Sequence, residues 1–294
     1  MPLEASGTAT TRDGVDVCYY DLGGTGPDLV LVHATGFCAA VLSPMATELR
    51  RRFRCIALDL RAHGRSERPA SGDFDWHFFA NDVLAVTEHL GLESPAGFGH
   101  SCGGAALLLA EQARPGTFEA LYCFEPVVLP AESLLAPSIE GNPLSRGALR
   151  RRSAFASREE ALANFSTKSP FDTLHRDALC AYVDNGFADD PAGGISLRCR
   201  REDEAQVYAH SLSHDAFARL GCVQCPVTLA CGAETDAIGP DSLALFAGRL
   251  GRSRTLALPA LGHFGPLADP VTVAGSVCDS LEGWLAQTRR PSVP

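Results

Sequence analysis

The sequence predicts a doubly wound α/β fold with a mostly parallel sheet, interrupted by a mostly helical insertion. Three observations carry this expectation. Short β-rich runs, apolar on both faces, recur at Leu29 to Val32, Cys55 to Leu58, Ala96 to Phe98, Leu121 to Phe124, Val227 to Cys231 and Thr255 to Leu258, as suits a parallel sheet covered by helices on both sides. Helical patterns lie between these runs, and such alternation is the signature of an α/β layer structure. From about Pro130 to His214 the alternation stops, and a stretch that long between two strands is too large to be a plain loop.

Taken in order, the chain opens with Thr8 to Arg12 and Val15 to Tyr20 around Asp13-Gly14, the pattern of a hairpin. Trp76 to Leu90 carries Phe79, Val83, Val86 and Leu90 at helical spacing. Ala105 to Gln112 reads as a helix, and Asp269 and Pro270 read as the N-cap and first residue of another, with Ala274, Val277, Leu281 and Leu285 as its inward stripe. The interrupting stretch holds an Arg-rich helical pattern over Leu149 to Ala163, turn signals at Asp189-Asp190-Pro191 and Gly193-Gly194, and the aromatics Phe155, Phe165, Phe171, Tyr182, Phe187 and Tyr208. The expected organisation is a core of residues 1–129 and 215–294 with a helical cap at 130–214. Ligands of open α/β sheets sit beyond the carboxyl ends of the strands, so such a cap shapes a substrate pocket.

Composition narrows the function. The 294 residues are 46% hydrophobic and 20% charged with a net charge of −10, ordinary values for a globular enzyme-sized chain and unfavourable for binding nucleic-acid phosphates. The longest apolar run, Ala105 to Ala110, is far too short to span a bilayer. Met1 to Gly14 lacks the basic and apolar regions of an export signal. The 11 cysteines are an odd number scattered through apolar segments, which reads as reduced, buried thiols in a cytoplasm. No nucleic acid or membrane partner is expected.

The chemistry centres on Gly99-His100-Ser101-Cys102-Gly103-Gly104, between a strand and a helix. This is Gly-x-Ser-x-Gly in the strand–turn–helix context that gives the motif meaning. A sharp turn presents Ser101, and the residues two before and two after it must be small for strand and helix to meet. A frame shifted to Cys102 would put His100 where a small residue is needed, so Ser101 is the candidate nucleophile. Its hydroxyl needs a base, and the base an orienting carboxylate. Asp236, in Gly232-Ala-Glu-Thr-Asp236, and His263, in Leu261-Gly-His-Phe-Gly-Pro266, both follow strands in the chain order Ser, Asp, His. Asp236 has rivals in Glu234 and in Glu125, which follows Leu121 to Phe124. An oxyanion needs two backbone donors. Cys102 N–H is one, and the loop His33-Ala-Thr-Gly-Phe37 supplies the other, from Thr35 in preference to Gly36.

With these motifs assembled, the chain resembles the α/β-hydrolase superfamily, in its branch with an inserted helical cap. The resemblance runs from about Leu29 to Leu285. It rests on His33-Ala-Thr-Gly, Asp59-Leu-Arg-Ala-His63-Gly-Arg-Ser66, the Ser101 turn, Gly232 to Asp236 and Gly262-His-Phe-Gly-Pro266. Two departures from the family pattern are Ala34, where relatives usually carry Gly, and Cys102, where many carry Met. A Ser at the turn disfavours the dehalogenase and epoxide hydrolase branches, which use Asp. What the resemblance implies is a cofactor-free, metal-free serine hydrolase that cleaves an ester, lactone or thioester of a small, partly apolar substrate. Carbon–carbon (diketone) hydrolysis and perhydrolase chemistry use the same three residues. The other reading keeps the fold but not the hydrolysis, as a small-molecule binding or biosynthetic cyclisation protein.

Other patterns carry less. Cys222-Val-Gln-Cys225 lacks a second ligand pair for zinc or a redox context. His210 and His214, at i, i+4, read as polar residues on an exposed helix face, and Arg150-Arg151-Arg152 as a solvated run with an anionic headgroup as the sharper idea. His63 and Arg61 read as loop anchors, and His100 as buried in the turn rather than acting as base.

Overall fold

The structure, a computed structural model, describes residues 2–288 apart from 131, 132 and 134; the outer ends of the expected core span, residues 1 and 289–294, therefore lie outside the described residues. The hairpin read around Asp13-Gly14 is formed by β1 (Gly7–Thr10) and β2 (Asp16–Gly23). The buried runs become β3 (Asp28–Val32), β4 (Arg54–Leu58), β5 (Ala96–His100) and β6 (Ala120–Phe124). Two later ones become β10 (Val227–Gly232) and β11 (Ser253–Leu258). Together they make an eight-stranded sheet in the order β1-β2-β4-β3-β5-β6-β10-β11. It is antiparallel at the β1–β2 and β2–β4 pairs and parallel from β4 through β11.

Helices cover both faces. One layer holds α1 (Ser43–Leu49) and α10 (Pro270–Thr288), the other α2 (Trp76–His89) and α3 (Cys102–Ala113). The expected stripe of α10 is buried at Ala274, Val277, Leu281 and Leu285. The Asp269 carboxylate accepts from Thr272 N–H at 3.0 Å, capping that helix as expected. Two further helices, α8 (Pro240–Ala247) and the single turn α9 (Gly265–Ala268), complete the core. No helix among the described residues is long and apolar enough to cross a membrane.

The long interruption between β6 and β10 folds as α4 (Pro143–Leu149), β7 (Ala154–Phe155), α5 (Arg158–Phe165), α6 (Arg176–Asn185), β8 (Phe187–Asp189), β9 (Ile195–Leu197) and α7 (Arg201–Ala209). The single helical pattern expected over Leu149 to Ala163 is instead cut in two. Ser157 caps α5 by accepting from Glu160 N–H at 3.2 Å, while the Glu160 carboxylate accepts from Ala156 N–H at 2.7 Å. This reciprocal cap starts a helix at Arg158, and the residues before it pair into a small sheet of order β7-β9-β8 that the helical reading missed. The aromatics of this region are largely consumed by its own interior: Phe155, Phe165, Tyr182 and Phe187 are buried, ring against ring. Phe37, from the loop after β3, joins this cluster through Phe171 and Tyr182.

His210 and His214 do not share a helix face. The last turn of α7 closes at Ala209, and His214 is buried with its ring stacked on Trp76 at 5.0 Å. Nearby, His77 donates from Nδ1 to Asp75 at 2.7 Å and from Nε2 to Asp215 at 2.8 Å, tying the start of α2 to the chain that returns from α7. Hydrogen bonding to Asp75 is the main cause raising the His77 pKa from 6.5 to about 9. The folded protein thus holds a proton that the unfolded chain gives up. The stabilisation from this clasp is complete below pH 6.5 and is lost as pH rises through 9. Thermal unfolding of the wild type across pH 6 to 10 is expected to show a decline in this window that is shallower in His77→Gln; parallel profiles would remove the clasp from the account.

Candidate active site

Strand order changes direction at β3, with β4 on one side and β5 on the other. A crevice opens outside the carboxyl ends of strands at such a switch point, and here the loop after β3 and the turn after β5 flank it. Ser101 occupies that turn with φ 56° and ψ −114°, a left-handed backbone that L-residues avoid. The flanking glycines are required by contact. A Cβ on Gly99 would lie 2.5 Å from the Gly103 carbonyl carbon, and one on Gly103 would lie 2.3 Å from the Val32 carbonyl oxygen. Strand β5, helix α3 and the end of β3 therefore touch backbone to backbone.

His263 lies in the loop after β11, and its Nδ1 donates to Glu125 Oε2 at 2.7 Å. Asp236, expected in this place, is exposed instead, with no hydrogen bond to His263 among the described residues. The reason lies in the loop after β10. It supplies donors rather than a carboxylate: Thr235 Oγ1 and Ile238 N–H reach Glu125 Oε2 at 2.8 and 3.3 Å, and Gly232 N–H reaches Oε1 at 3.0 Å. Glu125 is fully buried and itself left-handed, with φ 46°. Burial opposes its charge, but the His263 hydrogen bond and these donors outweigh it and hold the carboxyl below its ordinary range. The sequence signal for Glu125 was its position directly after a strand. Glu234, the other rival, is exposed.

Three buried histidines act on loop position. His100 donates from Nε2 to the His263 carbonyl at 2.9 Å, and burial holds it well below its ordinary pKa. His33 Nε2 accepts from Leu60 N–H at 3.0 Å, and His63 Nε2 accepts from Gly36 N–H at 3.0 Å. Burial pushes these two down to about 4 and about 3, so both stay neutral and able to accept. Gly36 N–H is thus engaged, whereas Thr35 N–H has no protein acceptor among the described residues. Cys102 N–H, at the first position of α3, has no intrahelical partner to give. Burial pushes the Cys102 thiol up to about 12, leaving it a neutral packing group beside Ser101. Arg61 is a structural anchor, as expected, fully buried against Asp82 at 2.7 Å and paired with Asp13 at 2.7 Å.

Ser101, His263, Thr35 and Asp236 line one cavity of about 500 Å³, walled mainly by apolar groups such as Trp76, Val127, Leu144 and Ile238. This size suits a small organic ligand. Ser101 Oγ and His263 make no direct hydrogen bond among the described residues; catalytic hydrogen bonds often tighten only when substrate is bound. Cys222 is exposed and Cys225 buried, and the described residues contain no cluster able to hold a metal ion.

The alpha/beta hydrolase fold family model matches residues 27–270. The chain is 38% identical over 113 residues to a non-heme chloroperoxidase of Streptomyces lividans, covering 37% of this chain and 41% of that protein. It is 37% identical over 100 residues to a bifunctional esterase/perhydrolase of Acinetobacter calcoaceticus, covering 33% and 36%. These matches thus span about two fifths of the relatives' length. The solved structure of E-2-(acetamidomethylene)succinate hydrolase superposes with a TM-score of 0.80 at 19% identity, over 94% of this chain and 98% of that one. With the family model covering most of its length and the sheet order and strand–turn–helix already described, the chain belongs to the alpha/beta hydrolase fold family.

Proposed function

We propose that this protein is a serine hydrolase that cleaves a carboxylic ester, lactone or thioester of a small, partly apolar substrate through an acyl-enzyme on Ser101. The observation that carries the proposal is the left-handed Ser101 in the same apolar cavity as a histidine whose far nitrogen is held by a buried carboxylate. His263 accepts the Ser101 proton as the hydroxyl attacks the carbonyl, then returns it to the leaving group. Glu125 takes the role expected of Asp236: it fixes the imidazole tautomer, with the proton on Nδ1, and stabilises the imidazolium. The backbone N–H groups of Cys102 and Thr35 receive the oxyanion. Water activated by His263 then releases the acid. The described residues of 130–214 serve as a cap over those of 1–129 and 215–294, so that the substrate enters between the two.

A second reading has support from the named relatives, a chloroperoxidase and an esterase/perhydrolase. In it, hydrogen peroxide instead of water takes the acyl group from Ser101, giving a peracid. The triad and the oxyanion donors act as before, so a peracid assay with a short acyl donor separates the readings without any variant.

A fluorophosphonate probe is expected to phosphonylate the wild type, adding its mass less HF, and not Ser101→Ala, and p-nitrophenyl esters should be turned over only by the former. Absence of both labelling and turnover in folded wild type would overturn the hydrolase. In the same assay, Glu125→Gln is expected to lower kcat by about three to four orders of magnitude, the scale seen when a triad carboxylate is neutralised. Asp236→Asn, which leaves the Nδ1 hydrogen bond intact, should change it by a few fold at most. The reverse ranking would restore Asp236 as the acid.

A further inference from the structure

A second hollow of about 440 Å³ adjoins the cavity that holds Ser101, and the two share Thr35, Pro143, Leu144, Tyr208 and Phe264 in their walls. Its chemistry is different. Arg150, Arg151, Arg152 and Lys168 all line it, in a chain whose net charge is −10 and whose one lysine is Lys168. The arginine run is not a solvated helix face. Helix α4 ends at Leu149, and the three side chains that follow turn around the hollow.

Two of the four cations are already matched. Arg151 is paired with the buried Glu204 and bonded to the Tyr182 hydroxyl, while Arg152 is paired with Glu160 at 2.7 Å. Arg150 and Lys168 have no carboxylate partner among the described residues, and both are exposed toward solvent and the hollow. Four like charges around one concavity repel each other, and two carboxylates offset only half of that. Phe165 and Phe171 supply a flat apolar wall beside them. The Arg151 pair with Glu204 packs close to the loop after β3, since Glu204 Oε1 would lie 2.5 Å from a Cβ on Gly36, next to Thr35. The cationic hollow therefore adjoins the proposed oxyanion position.

We propose that the preferred substrate carries a carboxylate at the end remote from its scissile bond, received by Arg150 and Lys168 while the carbonyl sits at Ser101. This deepens the hydrolase reading and rests on it. A guanidinium fork and an ammonium together match one carboxylate, and the apolar walls of both cavities accommodate the hydrocarbon between the two polar ends. A neutral ester of the same length would leave both cations unpaired.

The test compares matched esters at low ionic strength. p-Nitrophenyl hemiglutarate against p-nitrophenyl valerate puts the carboxylate on the acyl side; acetyl esters of 4-hydroxybutyrate and of n-butanol put it on the alcohol side. For one pair, the wild type is expected to favour the anionic member in kcat/KM. The double variant Arg150→Gln/Lys168→Gln should lower that preference by about tenfold, the order expected for two partly screened charges, and chiefly through KM. Added salt should erode the wild-type preference in the same direction. The variant Arg52→Gln, whose guanidinium pairs with Glu282 away from both cavities, should keep the wild-type ratio. Turnover of both members of each pair with no preference, or a preference that the double variant leaves unmoved, overturns the inference while the hydrolase stands. Failure to turn over any of the four esters overturns the hydrolase reading and this inference with it.

Discussion

The site depends on one backbone contact: α3 packs against the ends of β5 and β3 with no side chain between them. Gly99 meets the Gly103 main chain, and Gly103 meets the carbonyls of Val32 and His33. This closeness has two consequences at once. The chain must turn so sharply between β5 and α3 that Ser101 is forced into a left-handed conformation at the tip. The loop after β3 is also brought alongside the first turn of α3, so that the Cys102 thiol and the Thr35 side chain come within hydrogen-bonding reach. A methyl group at Gly99 would push α3 away from β5, and one at Gly103 would push it away from the end of β3.

Around this contact burial acts differently on the carboxylate and on the histidines. Glu125 stays ionised in a buried setting because four donors converge on it, one of them His263. His33, His63 and His100 are buried without carboxylates on their rings and so remain neutral, and they hold loops by accepting from Leu60 and Gly36 or donating to the His263 carbonyl. Low dielectric acts on both groups, but in opposite senses: it strengthens the satisfied carboxylate–imidazole pair and prevents the isolated imidazoles from charging.

The insertion between β6 and β10 supplies part of the walls of both cavities. Its aromatic cluster gives it an interior of its own and, through Phe37, fastens it to the loop after β3. Pocket walls are therefore divided by origin. The core supplies Ser101, His263 and Thr35, while α4, α7 and the segments beside them supply Leu144, Tyr208 and the cationic hollow. The walls from the insertion can then differ in shape and charge while the backbone geometry around Ser101 stays as it is.

Much of the core was legible in the sequence, because a doubly wound sheet writes itself as short apolar runs separated by helical periods, and the Ser101 turn writes itself as glycines at fixed spacing. The small sheet in the insertion was not, since β7, β8 and β9 are two or three residues each and the β7–β9 pair joins positions some forty residues apart. The partner of His263 was not decided there either. Glu125, Glu234 and Asp236 all stand in loops that follow strands, and the sequence carries no measure of where a side chain points. By itself the sequence determined the short buried strands, the turn that presents Ser101 and the loop that presents His263, because these follow from local sterics and periodicity. Only the tertiary structure decided that the loop after β10 gives hydrogen bonds to Glu125 instead of a carboxylate to His263, because that choice depends on which groups are buried together once the sheet has closed.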